Sequence, residues 1–349
     1  MNKKRDKSNV GAAVVGLGRG RAHIDALIRA EGAELLAVCD KNKDTAERFA
    51  DKHGVDAYTD LGELLKRDDI DLVHVCTPSG LHTEMLLQIA EAGKHAITEK
   101  PLDITLERID RAIEAFASRQ LQLGCIFQIR LMPAVREMKQ AIDAGRLGKP
   151  VLANAQVKWF RTQEYYDQNG GWRGTWAWDG GGSLMNQAVH TIDLLQWMMG
   201  PVHSVVGHTQ VSAHRIETED LGVALVKFRN GALATIAGTT AAYPGFGTSL
   251  EIFGTDGGIA MKDNLITEWK IRGSEMAAEE ADMRRKFGDD KAAPPEDTTY
   301  VQIQDMIDAV RNNRAPLITG REGRDAVEIV LAIYESARTG KEIELPFKA

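Results

Sequence analysis

The 349-residue chain reads as a doubly wound α/β domain over residues 1–127, followed by an α+β domain over 128–349 with a large, mostly antiparallel open sheet. Three observations predict this. Short apolar strands alternate with amphipathic helices through the first 125 residues. A glycine-rich turn follows the first of those strands. After about residue 127 the pattern changes to alternating, β-branched segments.

The elements follow in order. Val10–Val15 is an apolar run that stops at Gly16, and Arg21–Ala30 has helical spacing. Glu34–Cys39 (strand), Asp44–His53 (helix), Asp71–Cys76 (strand), Leu81–Ala92 (helix), His95–Thr98 (strand), Leu106–Arg119 (helix) and Leu121–Ile126 (strand) continue the alternation. Strands separated by helices of this length form βαβ units, whose parallel sheet is covered on both faces. Beyond them, Met132–Asp143 reads as a helix closed by Gly145. Strands are expected at Val151–Trp159, Val202–Ala213, Gly222–Phe228, Ala232–Gly238, Ser249–Phe253 and Ile259–Lys262. Asn230-Gly231 marks a hairpin. One helix, Gly182 to Met199, interrupts them. Residues 273–299 are charged, end in Pro294-Pro295 and read as a partly helical surface excursion; Val301–Asn312 and Arg324–Ala337 are closing helices.

Composition narrows the function. Lys and Arg number 43 against 50 Asp and Glu, a net charge of −7, which argues against a binder of nucleic acid dominated by phosphate contacts. The three cysteines, Cys39, Cys76 and Cys125, are far apart and form no CxxC; they suit a reducing cytoplasm rather than a disulfide framework or zinc site. The basic start, Met1 to Lys7, lacks the apolar stretch of a signal peptide. No run approaches the 18 apolar residues of a membrane span.

The first strand runs into Gly16-Leu-Gly18-Arg19-Gly20-Arg21-Ala22-His23. A strand, a glycine turn and a helix start make a phosphate site, because free N–H groups and the positive end of the helix dipole face the ligand. The GxGxxG spacing would put its third glycine at 21, where Arg21 stands. Asp40, at the end of the second strand, is placed to bond ribose hydroxyls and repel a 2′-phosphate, which favours NAD over NADP; Lys41 and Lys43 keep NADP as the lesser alternative. Arg19 and Arg21 either steady the pyrophosphate or are solvated. A bare turn with no ligand is the rival reading.

Ligands of such sheets lie beyond the carboxyl ends of the strands. Thr77 and Pro78, Glu99 and Lys100, and Gln128 fall at those ends. Lys100 precedes Pro101; beside a bound nicotinamide it would serve as a base or a cationic donor, and otherwise it is an exposed loop lysine. Thr77 and His82 read equally as a helix cap and a surface histidine.

The run Gly180-Gly181-Gly182…Asn186…His190…Asp193 carries the second cluster. At 100° per residue, Leu184, Ala188, Leu195 and Met199 form an apolar stripe, and Asn186, His190 and Asp193 lie within about 60° of one another on the opposite side. His190 is the natural proton acceptor, Asp193 an orienting partner, and Asn186 a bond to a substrate hydroxyl. A wet polar face is the plainer reading, and no third ligand completes a metal site. Upstream, Trp159, Arg161, Tyr165, Tyr166, Trp172 and Arg173 suit a sugar or sugar-phosphate ligand, or an aromatic packing cluster at a subunit contact.

Together, Gly16-x-Gly18…His23, Thr77-Pro78…His82, Glu99-Lys100-Pro101, Gly180-Gly-Gly…Asn186…His190-x-x-Asp193 and Tyr334-Glu-Ser-Ala resemble the glucose–fructose oxidoreductase / inositol dehydrogenase / rhizopine catabolism (Gfo/Idh/MocA) family over nearly the whole chain. The resemblance implies a Rossmann domain, an open sheet that mediates dimers or tetramers, and hydride transfer between NAD(P) and a carbinol carbon of a sugar or cyclitol. It implies Lys100 and His190 as the catalytic pair, with Thr77, Pro78, His82, Trp172 and Arg173 near the cofactor. Asn186 stands where many inositol dehydrogenases carry Asp, and is similar to the sugar-nucleotide 3-dehydrogenases. The expectation is an NAD-dependent dehydrogenase of a sugar, sugar acid, sugar nucleotide or cyclitol. The rivals are a glycoside-cleaving enzyme that recycles bound NAD and a sugar-sensing regulator without chemistry.

Overall fold

The computed structural model describes residues 9–168, 170–273, 275–288 and 297–347. The basic start and the Pro294-Pro295 end of the charged excursion lie outside the described residues. The chain divides into two compact units. One ends at Gln128 and takes in Asp297–Arg324; the other begins at Ile129 and, after Arg324, resumes at Asp325.

The first unit holds a six-stranded, all-parallel sheet. Its strands are β1 (Val10–Val15), β2 (Ala33–Cys39), β3 (Asp56–Tyr58), β4 (Leu72–Val75), β5 (His95–Thr98) and β6 (Leu123–Cys125), in the order β3-β2-β1-β4-β5-β6. Every side chain of β1 and β4 is buried, as a parallel strand covered on both faces requires. Helices α1 (Gly20–Arg29), α2 (Lys43–His53), α3 (Leu61–Leu65), α4 (His82–Glu91) and α5 (Leu106–Ala117) fill the crossovers. Side-chain caps start three of them: Asn42, Asp60 and Thr105 accept from the backbone N–H groups of Thr45, Glu63 and Arg108. Strand β3, only three residues long, escaped the sequence reading.

The chain after residue 128 does not all lie in the second unit: Asp297–Arg324 joins the first. The helix Thr298–Arg311 packs on the core that contains Val14, Ile24, Leu27, Val38 and Ile97, through Ile303, Met306 and Ile307. Its reason for doing so lies at β6. That strand is the edge of the sheet, with backbone groups that need partners. Buried Gln302 supplies them: its Nε2 donates to the Cys125 carbonyl at 2.7 Å, and its Oε1 accepts from Phe127 N–H at 3.1 Å. A short bridge between Gly124 and Thr319 covers the remainder.

The second unit holds an eight-stranded sheet in the order β13-β12-β11-β7-β10-β9-β8-β14. Its strands are β7 (Pro150–Lys158), β8 (Val202–Gln210), β9 (Leu221–Phe228), β10 (Leu233–Thr239), β11 (Gly247–Gly254), β12 (Gly257–Lys262), β13 (Leu265–Ile271) and β14 (Ile343–Glu344). It is antiparallel except where β7 meets β10. The Asn230-Gly231 turn joins β9 to β10, with Asn230 accepting from Ala232 N–H. Buried and outward side chains alternate along β9 and β10. Helices α6 (Pro133–Asp143), α7 (Gln163–Asp167), α8 (Val189–Met199) and α9 (Met276–Phe287) complete the described part of this stretch. The helix α9 answers the expectation of a partly helical excursion.

Replacing Gln302 by Ala leaves a buried N–H and a buried carbonyl without their partner. We expect a loss of about 2–4 kcal/mol in urea unfolding; a loss below about 0.5 kcal/mol would show that water seals the β6 edge instead.

Candidate functional site

The glycine turn is shaped for a close neighbour. Gly16 has φ of +86°, and a Cβ there would lie 2.7 Å from the Cys76 carbonyl oxygen and 2.8 Å from Thr77 N. The turn therefore lies against the end of β4, and glycine alone fits. A Cβ at exposed Gly18 would meet nothing within 4 Å, so the outer side of the turn is open to a ligand. Helix α1 starts directly behind it with neither a side-chain cap nor an acidic residue in its first turn, which leaves N–H groups for an anion. Asp40 reaches back from the end of β2 and accepts from Leu17 N–H at 2.9 Å and Asn42 N–H at 2.9 Å. These features fit a dinucleotide: phosphates over the turn and a ribose beside the Asp40 carboxylate. The buried Oε1 of Gln128 has no protein partner among the described residues, so an acceptor stands ready on the same unit.

The strand ends gather around Glu99. This carboxylate is 5% exposed. It accepts from Arg19 Nε at 2.6 Å and faces His23 Nε2 at 3.4 Å, while Lys100 N–H lies 3.3 Å from its other oxygen. Burial alone would raise its pKa. The His23 hydrogen bond and the positive charges of His23, Arg19 and Lys100 outweigh that and hold it well below the usual carboxylate range. His23 Nδ1 in turn lies 2.9 Å from His74 Nδ1, and burial first, then His23, keeps His74 well below the ordinary histidine value. Arg21 is exposed, and Thr77, Pro78 and Lys100 are half-buried.

His82 departs from its expected place at the cofactor. It is 1% exposed, and its ring nitrogens lie 2.9 Å from the carbonyls of Pro101 and Thr77. It staples the two loops that carry Thr77 and Lys100 and has no surface left for a ligand.

On the second unit the expected helix begins differently from its reading. Ser183–Ala188 is a widened, π-type turn, and α8 follows from Val189. The apolar stripe is as expected: Leu184, Ala188, Leu195 and Met199 are each at most 2% exposed. Asn186, Gln187, His190 and Trp197 keep partial exposure. Asp193 does not share that face with them. It is 1% exposed, and its oxygens accept from Arg130 Nε at 2.8 Å and Nη2 at 2.6 Å. The Arg130 guanidinium also lies over the Trp197 ring. Asp193 thus anchors Arg130, which covers Trp197.

Ahead of the helix, the aromatic and arginine residues do assemble. The Arg161 guanidinium lies 5.3 Å from the Tyr165 ring centre, and that of Arg173 lies 4.7 Å from it. Arg161 also covers Trp159, and Arg173 covers Trp172. The Tyr165 hydroxyl accepts from Gln187 Nε2 at 2.6 Å, and Gln187 donates also to Asn186 Oδ1 at 2.9 Å. Asn186 Nδ2 donates to Asp179 Oδ1 at 2.5 Å. Tyr166 meets Tyr165 edge-on at 5.1 Å but lies behind it: it is 4% exposed, its hydroxyl is 2.7 Å from that of Thr240 and its ring packs on His214. Burial pushes its phenol up to about 12. It belongs to the core, where the sequence reading had placed it against substrate. Gln187 and Asp179 were missed; a glutamine and an aspartate beside glycines carry no sequence signal for this chain of hydrogen bonds.

The depressed Glu99 carboxyl has a consequence for acid stability. Its contribution is present above the ordinary glutamate value of 4.5 and is lost as pH falls from there toward the folded-state value, because the unfolded chain takes up the proton first. Glu99→Gln should cost about 1–3 kcal/mol at pH 7. The gap to wild type should narrow in urea unfolding repeated at successively lower pH below that value; a gap that widens would contradict the assignment.

Comparison with known proteins agrees with this geometry. Residues 10–127 match the oxidoreductase family with an NAD-binding Rossmann fold, and residues 135–260 match the GFO/IDH/MocA C-terminal domain. The chain is 27% identical to scyllo-inositol 2-dehydrogenase (NAD(+)) of Bacillus subtilis (strain 168), over 97% of each chain. It is 25% identical to myo-inositol 2-dehydrogenase of Thermotoga maritima, over 95% of this chain and 97% of that one. Among solved structures, the WlbA dehydrogenase from Bordetella pertussis, in complex with NADH and UDP-GlcNAcA, superimposes with a TM-score of 0.88 at 33% identity, covering 99% of this chain and 100% of that one. The glycine turn, the strand-end residues and the second sheet have the same explanation: this chain belongs to the Gfo/Idh/MocA family of NAD-dependent oxidoreductases acting on CH–OH groups.

Proposed function

We propose that the chain oxidises a secondary ring hydroxyl of a nucleotide-linked hexuronic acid. NAD held at the glycine turn would supply the hydride acceptor for the carbinol carbon. Gly16, Gly18 and Gly20 form the turn on which its phosphates rest. The Asp40 carboxylate receives the ribose hydroxyls and disfavours a 2′-phosphate. His190 accepts the hydroxyl proton as oxidation proceeds. Lys100, at the end of β5, donates to the oxygen on which charge develops.

The Arg161–Tyr165–Arg173 stack carries the substrate class. Two guanidinium groups fixed on one aromatic ring recognise carboxylate or phosphate, and aromatic faces accept sugar C–H groups. Arg161 Nε is buried with no protein partner among the described residues, a donor still to be used. A neutral cyclitol offers these cations hydroxyl acceptors but no charge to pair with. The 33% identity to a dehydrogenase that holds UDP-GlcNAcA supports the same choice.

With NAD in excess, UDP-GlcNAcA should give NADH by absorbance, and myo-inositol should give little. Lys100→Ala and His190→Ala should each lower kcat by about 10²-fold or more. Turnover of myo-inositol with none of UDP-GlcNAcA would overturn the substrate class.

We also infer a homodimer or homotetramer, in a reducing cytoplasm that suits three buried cysteines in no disulfide. The outward face of the second sheet exposes Leu225 by 64%, Leu233 by 55% and Val223 by 42%, on neighbouring strands. Apolar residues so grouped mark an interaction surface. Light scattering should give a multiple of 38.3 kDa, falling toward one chain in Leu225→Glu/Leu233→Glu; a wild-type monomer would refute it.

A further inference from the structure

The widened turn at Ser183–Ala188 is held from outside by a residue that has no part in the proposed hydride and proton transfers. Three successive backbone N–H groups at the helix start donate to Glu219: Gly182 to Oε2 at 2.9 Å, Ser183 to the main-chain carbonyl at 2.9 Å, and Leu184 to Oε1 at 2.7 Å. The helix has no side-chain cap of its own there, so Glu219 performs that task from 35 residues away. The Tyr334 hydroxyl donates to the same Oε1 at 2.9 Å.

The glycines before the helix are shaped to this pair. A Cβ at 182 would lie 1.8 Å from the Glu219 carbonyl oxygen, and one at 181 would lie 2.2 Å from the Tyr334 hydroxyl. The Trp176 ring meets that of Tyr334 edge-on at 5.5 Å, and Trp176 N–H donates to Glu217 at 3.0 Å. The exposed aromatic loop and the helix start therefore share one anchor. Glu219 is 3% exposed. Burial pushes its carboxyl up to about 7, against the hydrogen bonds from Leu184, Tyr334 and Gly182. A buried carboxylate is expensive unless its bonds are needed; here two come from the turn that leads to Asn186 and His190, and the third from Tyr334.

We propose that Glu219 and Tyr334 are positioning residues: they clamp the π-type turn and so set how Asn186 and His190 are presented. The roles of Asn186 and His190 rest on the function proposed above.

The test uses the full-length protein with Glu219→Gln and Tyr334→Phe, read by two independent measurements. Hydrogen exchange of residues 182–190 reports the clamp without any substrate. Steady-state turnover of UDP-GlcNAcA with NAD reports its consequence. In Glu219→Gln one acceptor oxygen becomes an NH2 that faces an N–H. Exchange over 182–190 should rise about tenfold or more, and kcat should fall at least tenfold while KM for NAD stays within about twofold. Tyr334→Phe, which keeps both carboxylate oxygens, should show a smaller change of the same kind. Wild-type exchange rates over 182–190 in both variants would overturn the clamp. So would a kcat within twofold of wild type despite local loosening, or, in Tyr334→Phe, loosening spread evenly over the chain. If wild type does not turn over UDP-GlcNAcA, the substrate reading has failed, and the exchange data still decide the clamp.

Discussion

The carboxyl edge of the first sheet depends on a single buried charge. Glu99 follows β5, and its carboxylate holds a distant stretch of chain, through Arg19 at the glycine turn and His23 in α1, together with the N–H of its own neighbour Lys100. Burying a carboxylate is unfavourable unless it is paired and hydrogen-bonded. Here the pairing overcomes the burial, and the acid is held ionised. The constraint runs both ways. Because Glu99 must keep its partners, the turn, the helix and the lysine are fixed relative to one another within this unit before any nucleotide arrives.

The second unit solves a similar problem with two acids. Asp179 accepts from Gly174 N–H and from the Asn186 amide, while Glu219 accepts from Gly182 and Leu184. The glycines lie between them. A widened turn has fewer well-placed internal hydrogen bonds than an α-helix and occurs often at functional sites. The two carboxylates supply from outside what that turn lacks. The polar groups of the helix then lead, through Gln187, to Tyr165 and its two arginines.

Much of this was legible in the sequence, for a stated reason. Strand and helix periodicities are local, so β1, β2, β4, β5 and β6 and the helices α1, α2, α4 and α5 show in the run of apolar residues, and so do the residues at the strand ends; α3, of five residues, does not. Asp40 and Glu99 are readable because topology alone places them. What failed was non-local. Asp193 and Tyr166 were assigned by helical angle and by neighbourhood, and neither reveals that Arg130 and Thr240 wait to bury them. The angle itself assumed 100° per residue, which a π-type turn does not keep. Glu219 gives only the sign of an acid at the foot of an apolar strand, and its partners are far off in the chain. The return of the tail to the first unit has the same character, since nothing near Gln302 names Cys125 as its partner.

That return has a meaning in time as well as in space. The groups that seal β6 come about 175 residues later in the chain than the strand they seal. A ribosome adding roughly 5–20 residues each second needs on the order of ten to thirty seconds to deliver them. Throughout that interval the nascent first sheet is complete in its strands yet open at one side, with unpaired backbone groups of the kind that recruit other strands. The cell therefore meets this protein first as an unfinished sheet, and only late in synthesis as one whose last edge is closed.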